Sequence, residues 1–128
     1  MEATINKIRS MNLQIKTLWI YCESGVWESG NITTNRAALA ALVKKATAMG
    51  QDLGIFADKA GFESYFGSDF NLYSHLPLWW YSINNRADFT EFQPFGGWKS
   101  AVMHRYSIAH GFPSEKVCGV DPDLDYYV

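Results

Sequence analysis

The sequence predicts an α/β fold with about five mostly parallel strands. Three observations carry that reading. Helix-period segments alternate with short apolar runs over the first two-thirds of the chain, which implies a parallel sheet covered by helices. The helices then run out toward the C-terminus while strand-like runs continue. The 128 residues are 48% hydrophobic and 19% charged, enough for the core of one domain spanning 1–128.

The elements follow in order. Over Glu2–Asn12, Ile5, Ile8 and Met11 sit three apart on one helical face. Thr17–Cys22 is an apolar strand ending at a single acid, Glu23. Thr33 or Thr34 is placed to cap a helix running to Met49, with Leu39, Leu42, Val43 and Ala46 on one side and Gly50 as its stop. Leu53–Ala57 is the next strand, and Asp58–Phe66 a short helix closed by Gly67. Leu76–Tyr81 and Ala101–Tyr106 are predicted strands, Val117–Val120 begins a last one, and the Phe-rich stretch Ile83–Gly97 is a loop between them. Five strands are too few for a closed eight-stranded α/β barrel, which usually takes ~250 residues.

Composition excludes several function classes. A net charge of -2, with no basic cluster beyond Lys44-Lys45, gives no footprint for nucleic acid. No stretch approaches the roughly 18 apolar residues of a membrane span, and the first twelve residues have no signal-peptide core. His75, His104 and His110 show no metal-ligand spacing, and no cofactor motif is present. Cys22 and Cys118 are expected as buried thiols, with a disulfide as the alternative. Aromatic residues make up 16% of the chain and cluster in PLWWYS (Pro77–Ser82), PFGGW (Pro94–Trp98) and DYYV (Asp125–Val128). Such residues fill cores, and near loops they also stack on the C–H faces of sugar rings.

Five stretches taken together resemble family 25 glycoside hydrolases, in particular the lysozyme-like members of nematodes and protists. They are LWIYCE (Leu18–Glu23), Thr34–Phe56, LPLWW (Leu76–Trp80), FTEFQPFGGWKSAVMHRYS (Phe89–Ser107) and CGVDPDLDYY (Cys118–Tyr127). The resemblance implies the C-terminal portion of a (β/α) barrel, N-terminally truncated, so that the barrel is incomplete and the first strand's catalytic aspartate has no counterpart. It implies a peptidoglycan-cleaving N-acetylmuramidase without cofactor or metal, acting in antibacterial defence or bacterial digestion. A secreted or phagolysosomal setting is implied, with the cytoplasm as the alternative for a chain lacking a signal peptide.

The same resemblance assigns site residues. The family pattern on the strand at Leu18–Glu23 is D-x-E, two carboxylates on one face. Glu23 matches the general acid, and Tyr21 stands where the aspartate belongs. A tyrosine with a reference pKa of about 10 carries no negative charge at pH 7, so impaired catalysis is expected. Asp123 corresponds to the groove aspartate of the last strand, with Asp121 as the competitor and turn chemistry as the bland reading of both. Tyr21, Trp79, Trp80 and Tyr106 are the expected glycan-binding residues. Phe56 replaces a usual tyrosine and Ser82 a frequent histidine. Without the family, Glu23 reads as a strand-end acid in a loop salt bridge. A non-catalytic glycan-binding or interaction protein is the alternative function, and open sheet edges invite self-association.

Overall fold

A computed structural model describes residues 1–108, 116 and 118–128. The elements are α1 (Glu2–Ser10), β1 (Thr17–Tyr21), α2 (Ile32–Ala48), β2 (Asp52–Ala57), α3 (Lys59–Phe66), β3 (Leu78–Tyr81), β4 (Met103–Ser107) and β5 (Leu124–Tyr127). The strands form one sheet in the order β1-β2-β3-β4-β5. The first four run parallel, and β5 returns antiparallel to β4 across an irregularity between Arg105 and Ser107. The predicted α/β class with a mostly parallel open sheet is what the chain adopts.

Alternation along each strand sorts residues onto two faces. One face carries Ile20, Leu53, Ile55, Ala57, Leu78, Trp80 and His104, all buried. Against it pack Ile5 of α1, Leu39 and Ala46 of α2, and Phe62 and Phe66 of α3. The loop between β3 and β4 adds Phe92, Phe95 and Trp98 to the same cluster. Register places Trp19, Tyr21, Phe56, Trp79, Tyr81, Arg105 and Asp125 on the other face. Tyr21 there is 48% exposed, whereas Phe56 is 2% exposed because its neighbours' rings close over it.

Several boundaries differ from the sequence expectation for local reasons. Helix α1 stops at Ser10 because Asn12 turns left-handed at φ 54, and Met11 is exposed instead of joining the apolar face. Helix α2 starts before Thr33, with Asn31 at the N-cap and no side-chain capping bond. Its first turn is tied down by buried Asn35, whose amide donates to the carbonyls of Glu28 (2.7 Å) and Tyr65 (3.0 Å). Helix α3 matches its signals: the Asp58 side chain accepts from the Gly61 N–H, and Gly67 ends the helix at φ 86. The last strand is Leu124–Tyr127, not a run begun at Val117–Val120. Cys118 and Gly119 both take positive φ (54 and 79), which bars an extended strand there. Val117 lies outside the described residues, as does His110. Both cysteines are free; Cys22 is buried as expected, but Cys118 is exposed because that turn faces outward.

Candidate active site

The carboxyl ends of the parallel strands bring the polar residues of the open face together. Strand β1 ends at Tyr21, and the chain continues in line through Cys22, whose N–H donates to the Phe56 carbonyl at 2.8 Å. Glu23 follows, before the turn at Gly25 (φ 89). The turn is anchored by Trp27, whose indole N–H donates to the Tyr21 carbonyl at 2.8 Å while its ring packs edge-on against Phe66. A buried tryptophan therefore fixes the loop that presents the acid.

Glu23 is held by one oxygen. The Tyr21 hydroxyl donates to its Oε2 at 2.7 Å, while its Oε1 is buried and has no hydrogen-bond partner. Burial raises the carboxyl pKa, the hydrogen bond from Tyr21 pulls it down, the charge of Asp58 raises it, and Arg105 lowers it; the net direction is up. An upward shift by burial is the environment of a carboxylic acid that must keep its proton near neutral pH. Tyr21 in turn is pushed up to about 12, first by its bond to Glu23 and then by burial. Burial and the charges of Glu23 and Asp58 also raise Tyr81.

The far side of the face is organised by Arg105. Its guanidinium pairs with Asp123 at 2.9 Å and, through two nitrogens, with Asp125 at 3.1 and 3.2 Å. It also lies over the rings of Trp79 (4.7 Å) and Phe56 (5.3 Å). The Trp79 indole N–H donates to Asp125 at 3.0 Å. Phe56 stacks on Tyr21 at 4.8 Å and 9°, so an unbroken path of contacts runs from Arg105 through Phe56 and Tyr21 to Glu23.

Of the residues expected at the site, Glu23, Tyr21 and Trp79 meet on this face, and Asp123 reaches it through Arg105. Trp80 does not. It is 6% exposed on the opposite face, stacked on buried His104 at 4.0 Å, because adjacent strand residues point to opposite sides. Tyr106 is half-buried against the same His104 ring, centroids 6.1 Å apart. Asp121 is half-buried ahead of β5. Asp125, Arg105, Tyr81 and Asp58 escaped the sequence reading. Asp125 lies two residues beyond Asp123, the next position on the same strand face, which period-two counting extended by one step would have reached. Among the described residues, no three His, Cys, Asp or Glu side chains converge as metal ligands.

A glutamate whose pKa is raised by burial, among aromatic rings at the carboxyl ends of parallel strands, is an arrangement that glycosidases of α/β fold use. Comparison with known proteins narrows the class. The family model for lysozyme-like protein 1 matches residues 1–106, and the chain belongs to these lysozyme-like proteins of glycoside hydrolase family 25. It is 32% identical over 125 residues to lysozyme-like protein 5 of Caenorhabditis elegans, covering 98% of this chain and 56% of that one. It is 32% identical over 130 residues to probable GH family 25 lysozyme 3 of Dictyostelium discoideum, covering 98% and 26%. The chain thus spans about half or less of the length of these curated relatives. Among solved structures, the spore cortex lytic enzyme SleM of Clostridium perfringens shares the fold, with a TM-score of 0.56 at 16% identity over 88% of this chain and 36% of that one.

Proposed function

We propose that the chain is an N-acetylmuramidase of low turnover, cleaving the β-1,4 bond of bacterial peptidoglycan with Glu23 as the proton donor. The observation that carries this reading is the state of Glu23: a carboxyl raised by burial, with one occluded oxygen, at the rim of an aromatic sheet face. Bond cleavage requires a proton on the leaving oxygen and negative charge beside the oxocarbenium-like centre. The upward shift of the Glu23 carboxyl by burial supports it for the first role. The second is met weakly, because Tyr21 is neutral where the family places a carboxylate, and Arg105 neutralises part of the charge of Asp123 and Asp125. Trp79 and Tyr21 supply aromatic surface for the sugar rings. This chemistry belongs where cell wall is met, outside the cell or in the phagolysosome, in defence against bacteria or in feeding on them.

Muropeptide release from purified peptidoglycan, at acid and neutral pH, tests the reading. Slow release by the parent and none by Glu23→Gln is the expected result. Equal release by both removes Glu23 from the chemistry. A second reading, glycan binding without cleavage, is favoured by one observation, the replacement of the partner carboxylate by Tyr21. Its signature is a chain that pellets with cell wall but releases nothing.

A further inference from the structure

Hydrolysis of a glycosidic bond runs on two carboxyl groups, and β1 supplies one, because Tyr21 stands where the family pattern has the other. The parallel register brings a second carboxyl to the same place from the neighbouring strand. Tyr21 pairs with Phe56, and the Cys22 N–H donates to the Phe56 carbonyl at 2.8 Å, so the ladder continues one step past the end of β1. Carried two residues on, that register sets Glu23 opposite Asp58, and alternation keeps both on the open face with Tyr21 and Phe56. We propose that Asp58 is the positioning residue of this site, a cross-strand partner whose negative charge faces Glu23 and holds the proton on it. The inference rests on the role of Glu23 as donor proposed above.

Three features support it. First, Asp58 is placed by two constraints. Its backbone is still extended, at φ -94 and ψ 164, and its Oδ1 accepts the Gly61 N–H at the N-cap of α3. The half-buried side chain is thereby held at the junction of β2 and α3. Second, the cap alone does not call for a charge, since Asn and Ser serve at N-caps as well as Asp does. What aspartate adds is a negative charge, which disfavours ionisation of a neighbouring carboxyl. Third, that charge reaches groups on both sides of the open face. Burial is the largest cause raising Glu23, and the charge of Asp58 adds to it; burial, then Glu23, then Asp58 raise Tyr81. The groups that face Glu23 are Tyr21 and Cys22 on its own segment, Asp58 at the start of α3, Tyr81 of β3 and Arg105 of β4. Asp123 and Asp125, farther along the face, are paired with Arg105, whereas Asp58 is held by a backbone N–H.

Asp58→Asn keeps the shape and the cap and removes only the charge. Glu23 is followed by 13C-carboxyl NMR through an acid titration, with Glu23→Gln identifying its signal and near-UV circular dichroism confirming packing. The expected result in Asp58→Asn is a downward move of the Glu23 midpoint, because the like charge beside it has gone. Asp58→Ser, a second uncharged cap, gives the same move and carries the test should the Asn variant fail to fold. An unchanged midpoint in a folded variant overturns the proposal and leaves Asp58 a helix cap alone. Where the parent cleaves peptidoglycan, the alkaline limb of its pH–rate profile moves to lower pH in Asp58→Asn, and release at pH 7 falls several-fold, because less of the donor is protonated. A limb that stays in place overturns the positioning role. A parent that releases nothing, with the midpoint lowered in the variant, rejects the muramidase reading while upholding the Glu23–Asp58 pair.

Discussion

At the scale of single residues, the muramidase reading turns on Tyr21, which stands beside Glu23 where the family pattern has a carboxylate. Replacing it with aspartate restores a D-x-E pair on β1 and places negative charge beside the sugar. Tyr21→Asp is expected to increase muropeptide release by about 10- to 100-fold, measured as initial rate on purified peptidoglycan. An unchanged rate would locate the deficit elsewhere on the rim. Glu23 also carries a stability consequence whose sign follows from its raised pKa. A carboxyl raised in the folded state contributes stability that is fully present below its ordinary value near 4.5 and lost as pH rises through the folded value. Glu23→Gln removes the cost of the buried charge, so at pH 7 its Tm should exceed the parent's by a few degrees. The gap should close as pH falls toward 4, and a gap that widens on acidification would contradict the burial argument. The position of Glu23 at a strand end was legible in the sequence as an apolar run closing on one acid, whereas the role proposed for it came only from the family resemblance. Arg105 and Asp125 were not legible, since their pairing depends on the antiparallel return of β5, which leaves no local pattern.

At the scale of elements, the two adjacent tryptophans of β3 show what periodicity settles and what it leaves open. Alternation requires that Trp79 and Trp80 face opposite ways, but only packing decides which one lies in the core. Trp80 lies there, on His104, whose two ring nitrogens are within 2.6 Å of the Asp88 carbonyl and 2.9 Å of the Ser82 carbonyl. Trp80→Ala is therefore expected to cost about 3–5 kcal/mol in urea unfolding. Trp79→Ala should lose its contacts on the open face, reducing cell-wall pelleting several-fold while the core stays intact. Comparable destabilisation by both would mean that the open face supports the fold as much as the helices do. His104→Leu removes the ring's polar contacts with the Ser82 and Asp88 carbonyls of the β3–β4 loop and should cost about 2–4 kcal/mol. The helix and strand order was readable because apolar periods of three to four and continuous runs are local signals. The last strand was misplaced because two left-handed residues, Cys118 and Gly119, look in sequence like any apolar run with a glycine.

At the scale of the whole molecule, a sheet of five described strands has two edges, and their protection differs. β5 is exposed at Tyr127 and carries Asp125 turned into the site. β1 pairs along one side only, with β2. Its outer side borders a cleft of ≈ 250 Å³ lined by Leu18, Trp19, Ile20, Val26, Trp27 and Leu42, with no charged side chain among its lining. A strand with unpaired backbone groups beside an apolar cleft is a template for another strand. The open-sheet prediction came from counting strands; the asymmetry of the edges did not, because it depends on which strand the helices leave uncovered. The 128-residue chain is accordingly expected to self-associate through β1, giving a mass above 14.5 kDa by light scattering at concentrations near 100 µM. Trp19→Lys places a charge at that edge, on the face away from the helices, and should return the chain to a monomer without loss of helical signal. A parent that is already monomeric would show that β1 is shielded in solution, and a lysine variant that still associates would move the contact to β5.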